Sequence, residues 1–220
     1  MKVIRLSRYL RLILCWYGLS LATVQAQDDW HLEKDKDQIQ VYSRGIPGSK
    51  RQELKVECIL PGTLNQLVAL LTDIANYQNV IYKTKSAYII KRISESELLY
   101  YVSTEVPWPV NDRDMTVRMT FAQDPATRTL NIRAVGVPDL VASKPGTVRI
   151  ADWLAIWQVK PLANRRMQVT YTARIDPGGE IPAWVNNTTG IMGAYQSFSL
   201  IRKSLSLPRY QGKTFAFLTP

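Results

Sequence analysis

The sequence predicts an α+β domain in which an antiparallel sheet carries a long C-terminal helix on its apolar face. Three observations predict it. Short segments that alternate apolar and polar residues recur from Ile39 to Ile175, broken by Pro/Gly-rich turns. A single early helix interrupts them, and a 3.6-residue apolar period takes over after Pro182. An antiparallel sheet with one apolar face must cover that face, and the closing helix is long enough to do so.

Taken in order, Ile39 to Arg44 forms a short strand ended by Gly45-Ile46-Pro47-Gly48. Arg51 to Leu60 alternates, with Leu54, Val56, Cys58 and Leu60 on one face. Pro61-Gly62 breaks it. Thr63 then caps a helix over about Leu64 to Ala75, whose Leu64, Leu67, Val68, Leu71 and Ile74 fall on one stripe. Ser86–Arg92 and Leu98–Val106 pair across Ser94-Glu95-Ser96, and Pro107 to Asp112 is a rigid break. The cleanest alternation follows: Met115, Val117, Met119 and Phe121 face one way, Asp114, Thr116, Arg118 and Thr120 the other. Leu130, Ile132 and Ala134 continue the apolar face. After a connection from Gly136 to Gly146, Val148–Leu162 and Arg166–Ile175 pair around Ala163-Asn164-Arg165. Asp176-Pro177-Gly178-Gly179 stops the sheet. Pro182 then opens a helix to Leu205, with Trp184, Thr188, Ile191, Tyr195 and Phe198 on one side.

The first 26 residues read as a secretory signal peptide: Lys2, Arg5, Arg8 and Arg11, an apolar run from Leu12 to Ala22, and the small-residue end Val24-Gln25-Ala26. The run is about 11 residues, against about 20 for a membrane span. This predicts an exported protein, periplasmic or secreted, with one domain over 27–207 and a tail over 208–220. The leader holds four of the 28 basic residues and none of the 18 acidic ones, leaving 24 against 18, a net charge of +6. That favours transient contact with an anionic membrane surface. The cations are scattered and form no run of the nucleic-acid-binding kind, so no nucleic acid is expected. Cys58 is the one cysteine after the leader and reads as a small core residue, so stability rests on the hydrophobic core. Asn186-Asn187-Thr188-Thr189 contains glycosylation sequons in a helical setting that disfavours their use.

This order of elements, with the phrases Ile39-Gln40-Val41-Tyr42-Ser43-Arg44, Pro107-Trp108-Pro109-Val110-Asn111-Asp112-Arg113-Asp114, Gly146-Thr147-Val148-Arg149-Ile150 and Asp176-Pro177-Gly178-Gly179-Glu180-Ile181-Pro182, resembles the START (steroidogenic acute regulatory protein-related lipid transfer) family over about Trp30 to Leu205. The resemblance implies a helix-grip fold, a curved sheet wrapped around the C-terminal helix, enclosing a cavity for a lipid or other apolar molecule. It implies a monomeric binding protein without cofactor, for transfer, storage or sensing. A scaffold with a solid core, or an enzyme of the cyclase or hydrolase kind known on related folds, are the alternatives.

An apolar ligand needs apolar walls and a few fixed polar groups. Alternation nominates Met115, Val117, Met119, Ile132, Val169 and Tyr171 from the sheet, with Trp157 from the strand the resemblance marks; helical spacing nominates Trp184, Thr188, Ile191 and Tyr195. Burial alone does not separate wall from ordinary core; facing a void does. Trp108, fixed between two prolines, either walls the cavity or plugs the sheet end. Arg113 shares the parity of Met115 and, pointing inward, requires a carboxylate or a ligand head group; Arg149 is a second polar candidate. The connection 136–146 suits a lid whose Leu140 and Val141 touch ligand or membrane. His31 is the only histidine, which excludes a Ser-His-Asp triad in the folded core, and no residue cluster has metal-ligand spacing. Glu105 and Asp114 are the only strand-end acids suited to acid–base work. Phe215 and Phe217, after Leu207, belong either to a docked tail or to a frayed end.

Overall fold

The structure is a computed structural model and describes residues 30–46, 52–179 and 187–219, without the side chains of Gln52 and 187–189. The leader expected over 1–26 lies outside the described residues. The described strands form one sheet in the order β1-β2-β3-β10-β9-β7-β6-β5-β4, with β8 paired in parallel to β6. The strands are β1 His31–Lys36, β2 Ile39–Gly45, β3 Gln52–Pro61, β4 Thr84–Ser94, β5 Glu97–Thr104, β6 Asp112–Gln123, β7 Leu130–Gly136, β8 Thr147–Arg149, β9 Trp153–Leu162 and β10 Arg166–Ile175. Among the described residues three α-helices accompany them: α1 Leu64–Thr72, α2 Tyr77–Val80 and α3 Gly193–Ser204, the last preceded by a π-helical turn, Asn187–Met192.

Local chemistry sets these boundaries. The Thr63 hydroxyl accepts from the Gln66 amide while the Gln66 side chain accepts from the Thr63 amide, a reciprocal cap that starts α1. Gly62, at φ +108°, turns the chain into that cap and donates to the Arg165 carbonyl at 2.7 Å. The helix expected to run to Ala75 stops at Thr72; a 3-10 turn, Ile74–Asn76, and α2 follow.

Inner-face residues of all the central strands join α1, α2 and α3 in one hydrophobic core, from Ile39 and Val41 through Val117, Ile132 and Val169 to Phe198 and Ile201. Cys58 lies within it, and burial pushes its thiol up to about 12. The long C-terminal helix differs from expectation: residues 182–186 lie outside the described residues, and the next six form a π turn before α3 begins. Gly190 and Gly193 bracket that change, and glycine is a weak α-helix former. Residues after Leu207 do not fray. Tyr210 and Leu218 are buried, Phe217 packs on Phe121 at 6.1 Å, and Thr219 exchanges hydrogen bonds with Gln123.

Candidate functional site: the inner face of the sheet

Strand pairing arranges the inner face in rows. One row runs Phe121, Ile132, Trp157, Tyr171, Val56 across β6, β7, β9, β10 and β3. The neighbouring row runs Met119, Ala134, Ala155, Ala173, Leu54. Three consecutive strands therefore place alanine at one level of the sheet, beside the row of large side chains. Among the described residues the helix's close backbone approaches are to β2, β3 and α2; its Phe198 packs on Trp157 and Tyr171, and a Cβ on Gly190 would sit 3.6 Å from Leu54 at the end of the alanine row. Ala155 and Ala134 are 0% and 1% exposed, so other atoms cover this level.

Around the alanine row the side chains fall into two sets. Val117, Met119, Ile132, Trp157 and Val169 are buried. Met115, Tyr171, Trp153, Ile191 and Met192 pack against the core but keep accessible surface. Trp157, Tyr171 and Phe198 form a triangle with ring centroids 4.9, 5.0 and 5.4 Å apart. Tyr77 meets Tyr100 edge-on at 5.7 Å. Desolvation pushes the phenols of Tyr100 and Tyr171 well above the ordinary tyrosine value, and Tyr171 further opposes ionisation at Tyr100. Tyr171 is thus desolvated and yet not fully covered by packed atoms.

Twelve of the fourteen nominated ligand-binding positions have described side chains, and they do not all meet at this face. Met115, Val117, Met119, Ile132, Trp157, Val169, Tyr171 and Ile191 are brought together as just described. Tyr195 is buried, but its hydroxyl donates to Asp37 in the β1–β2 turn and Lys34 lies 4.8 Å over its ring, so it ties the helix to that turn. Trp184, and the side chain of Thr188, lie outside the described residues.

The polar candidates and the lid sit elsewhere than expected. Trp108 is 89% exposed and neither walls nor plugs the interior. A turn closed by the Val110 amide on the Pro107 carbonyl, with Asp112 accepting the Val106 amide, swings it into solvent. Arg113 is 5% exposed and points inward as its parity requires. Among the described residues it meets three main-chain carbonyls, Asn111 at 2.6 Å, Pro177 at 3.2 Å and Gly178 at 3.1 Å, in place of a carboxylate. It anchors the turn leading to the C-terminal helix, and desolvation lowers its pKa.

Arg149 belongs to the opposite face. Its Nε and Nη2 grip Asp114 at 2.7 and 3.1 Å, and its guanidinium donates to the carbonyls of Pro138, Val141 and Ala142. The bond from Asp114 raises the arginine's pKa further. Asp114 is buried on that face with Thr116 and Tyr101, and Lys144 stands 4.0 Å over the Tyr101 ring. The 136–146 connection, with half-buried Leu140 and Val141, is therefore held to Arg149 on the outer face of the sheet. The reason is electrostatic: the paired Asp114 and Arg149 gain their remaining hydrogen bonds from loop carbonyls, which draws the loop over them.

Sequence reasoning missed Ala134, Ala155 and Ala173 as a site feature, along with Trp153, Met192, Tyr77 and Tyr100. The alanines are small on three separate strands, and only the register places them side by side.

An open antiparallel sheet wrapped around a C-terminal helix, with its apolar interior between them, defines a helix-grip binding domain. The START domain model matches residues 18–205, and the chain belongs to the START family. A solved STAR-related lipid transfer protein from Xanthomonas axonopodis superposes with a TM-score of 0.75 at 28% identity, covering 82% of this chain and all of that one. An uncharacterised Pseudomonas aeruginosa protein is 26% identical over 161 residues, 73% of this chain and 79% of its own. Mouse phosphatidylcholine transfer protein is 25% identical over 167 residues, 72% of this chain and 75% of its own.

Proposed function

We propose that this chain binds a lipid or similar apolar molecule between the inner face of the sheet and the C-terminal helix, and carries, stores or senses it without chemical change. Membership of the START family carries the reading. The inner-face side chains Met115, Trp153, Tyr171, Ile191 and Met192, which packed atoms leave part-exposed, mark where such a molecule would lie. Met115 and Met192 add flexible, polarisable walls suited to an acyl chain. Tyr100 and Tyr171 supply hydroxyls in an otherwise apolar setting, fit to orient a carbonyl or phosphate of the ligand. Family membership and the lipid-transfer names of the relatives support the same class of ligand.

A non-catalytic role follows from where the acids stand. Asp114 is committed to Arg149 on the outer face, Glu105 lies 3.5 Å from Lys83, and His31 is exposed on the edge strand β1. The docked tail closes the sheet end at Phe121 and Gln123. Ligand access is therefore at the opposite end, past the Pro107–Val110 turn, where the exposed Trp108 is placed to touch a bilayer interface. The protein acts as an exported monomer in this reading.

Native mass spectrometry of the mature chain, purified without detergent from its own host, tests it. A discrete added mass, lost on denaturation and identified as a lipid, is the expected result. A bare polypeptide that stays bare after incubation with membrane extract sinks the proposal in favour of a solid scaffold.

A further inference from the structure

The end of the molecule away from Trp108 carries a surface of a different character. The β3–α1 turn, the β9–β10 turn and the segment after α3 meet there: Arg165 donates to the side chains of Gln66 at 3.1 Å and Gln211 at 3.3 Å, and both glutamine amides donate to the Leu205 carbonyl. On this end Lys160, Arg165, Arg166, Lys203, Arg209 and Lys213 are all exposed, and the segments 160–166 and 203–213 contain no acidic residue. Acids border this end as well, each with a partner: Asp73 is occupied by Arg209 at 3.4 Å and by the Tyr210 hydroxyl at 3.0 Å, Glu95 accepts the Ala216 amide at 3.0 Å, and Asp37 accepts from the Tyr195 hydroxyl. Lys160, Arg166, Lys203 and Lys213 have no described side-chain partner. Two large apolar side chains stand out among them, Leu162 at 38% and Leu207 at 41% exposure, each on a tight connection. Beside them a recess of about 400 Å³ opens between α1 and the tail, with Arg209 and Lys213 among its walls and Phe215 and Ala69 behind them.

The geometry points to this cap as a docking surface for an anionic phospholipid bilayer. Exposed cations at the ends of β9, β10 and α3 and in the tail carry the charge, and Leu162 and Leu207 beside them enter the interfacial layer beneath the head groups. A nucleic acid fits less well: no exposed aromatic ring lies within either segment to stack on a base, and the cations trace no groove. The surface lies at the end that the tail closes, so docking here leaves the Trp108 end free. The inference goes beyond the cargo reading and does not depend on it.

Co-sedimentation with vesicles tests the assignment, using phosphatidylcholine alone and phosphatidylcholine with about a third phosphatidylglycerol. The mature wild type is expected to bind only the anionic vesicles and to be released at about 1 M salt, where charge is screened within about 3 Å. The variant K160Q/R166Q/K203Q/K213Q breaks no described contact. Each cation near an anionic surface is worth about fivefold in partitioning, so binding falls by a hundredfold or more. L162S/L207S keeps every charge and weakens binding about tenfold. Equal binding to both vesicle types, or a quadruple variant that binds like wild type, overturns the proposal. A wild type that ignores both vesicles overturns it too and leaves an acidic protein as the fitting partner. Lipid retained by the quadruple variant in native mass spectra separates a failure here from a failure of the cargo reading.

Discussion

Asp114 and Arg149 show how one pair of residues decides what a longer segment does. Their side chains are 1% and 10% exposed, and the pair is bidentate, so neither charge has water to fall back on. Removing one partner from such a pair costs far more than removing both, because the survivor stays buried and uncompensated. Asp114→Asn is therefore expected to lower stability by about 3–5 kcal/mol in denaturant titration. The double variant Asp114→Leu/Arg149→Met is expected to recover much of that loss. Because Arg149 also holds the Pro138, Val141 and Ala142 carbonyls, the single variant should raise hydrogen exchange and proteolysis across 137–146 first. A single variant within about 0.5 kcal/mol of wild type would show that the pair does not clamp the loop. Parity put Arg113 inward, as found, whereas Arg149, a second candidate for the ligand's polar group, instead grips Asp114 on the outer face. Their partners were not legible, because main-chain carbonyls leave no mark in the sequence.

Among the elements, legibility followed burial contrast. β6 and β10 alternate cleanly since one face is core and the other solvent, and their limits could be read nearly to the residue. β1 was invisible: His-Leu-Glu-Lys-Asp-Lys is an exposed edge strand with no buried face to impose a period. The Thr63 cap was legible from its own chemistry, whereas the break after Thr72 was not, since Ile74 and Tyr77 keep the helical stripe across it. The tail was undecided because an apolar residue in a terminal segment reads alike whether docked or loose. Its docking has a measurable consequence. Deleting 208–220 uncovers Phe121, removes buried Tyr210 and Leu218, and strips the Asn76 amide of its bond to the Tyr210 hydroxyl. Two large side chains lost from the core amount to about 3–6 kcal/mol. The truncated chain should melt roughly 10 °C lower, at about 2–4 °C per kcal/mol for a domain of this size. An unchanged melting temperature would mean that the tail rests on the sheet without supporting it.

For the whole molecule the open question is whether the grip encloses space, and the alanine row offers a direct way to ask. The apolar pattern that made the fold legible cannot answer it, because a cavity wall and a solid core require the same residues. Volume can. Ala155 is fully buried between Ala134 and Ala173 on adjoining strands, so Ala155→Leu pushes three extra carbons straight from the sheet toward the helix. In a filled core those carbons force neighbours off their rotamers, at a cost of about 1–3 kcal/mol. Ala155 and Ala134 are 0% and 1% exposed, so covering atoms already meet the row. The expected outcome is that delipidated Ala155→Leu loses about that 1–3 kcal/mol in denaturant titration, while the displaced neighbours crowd the adjoining ligand space and reduce bound lipid in native mass spectra. Ligand linkage adds a check, since excess lipid at about a hundred times its Kd should stabilise wild type by about 2.7 kcal/mol and the variant by much less. A delipidated variant weaker by more than about 1 kcal/mol, carrying no less lipid than wild type, would place the packed core at the alanine row and the cargo elsewhere.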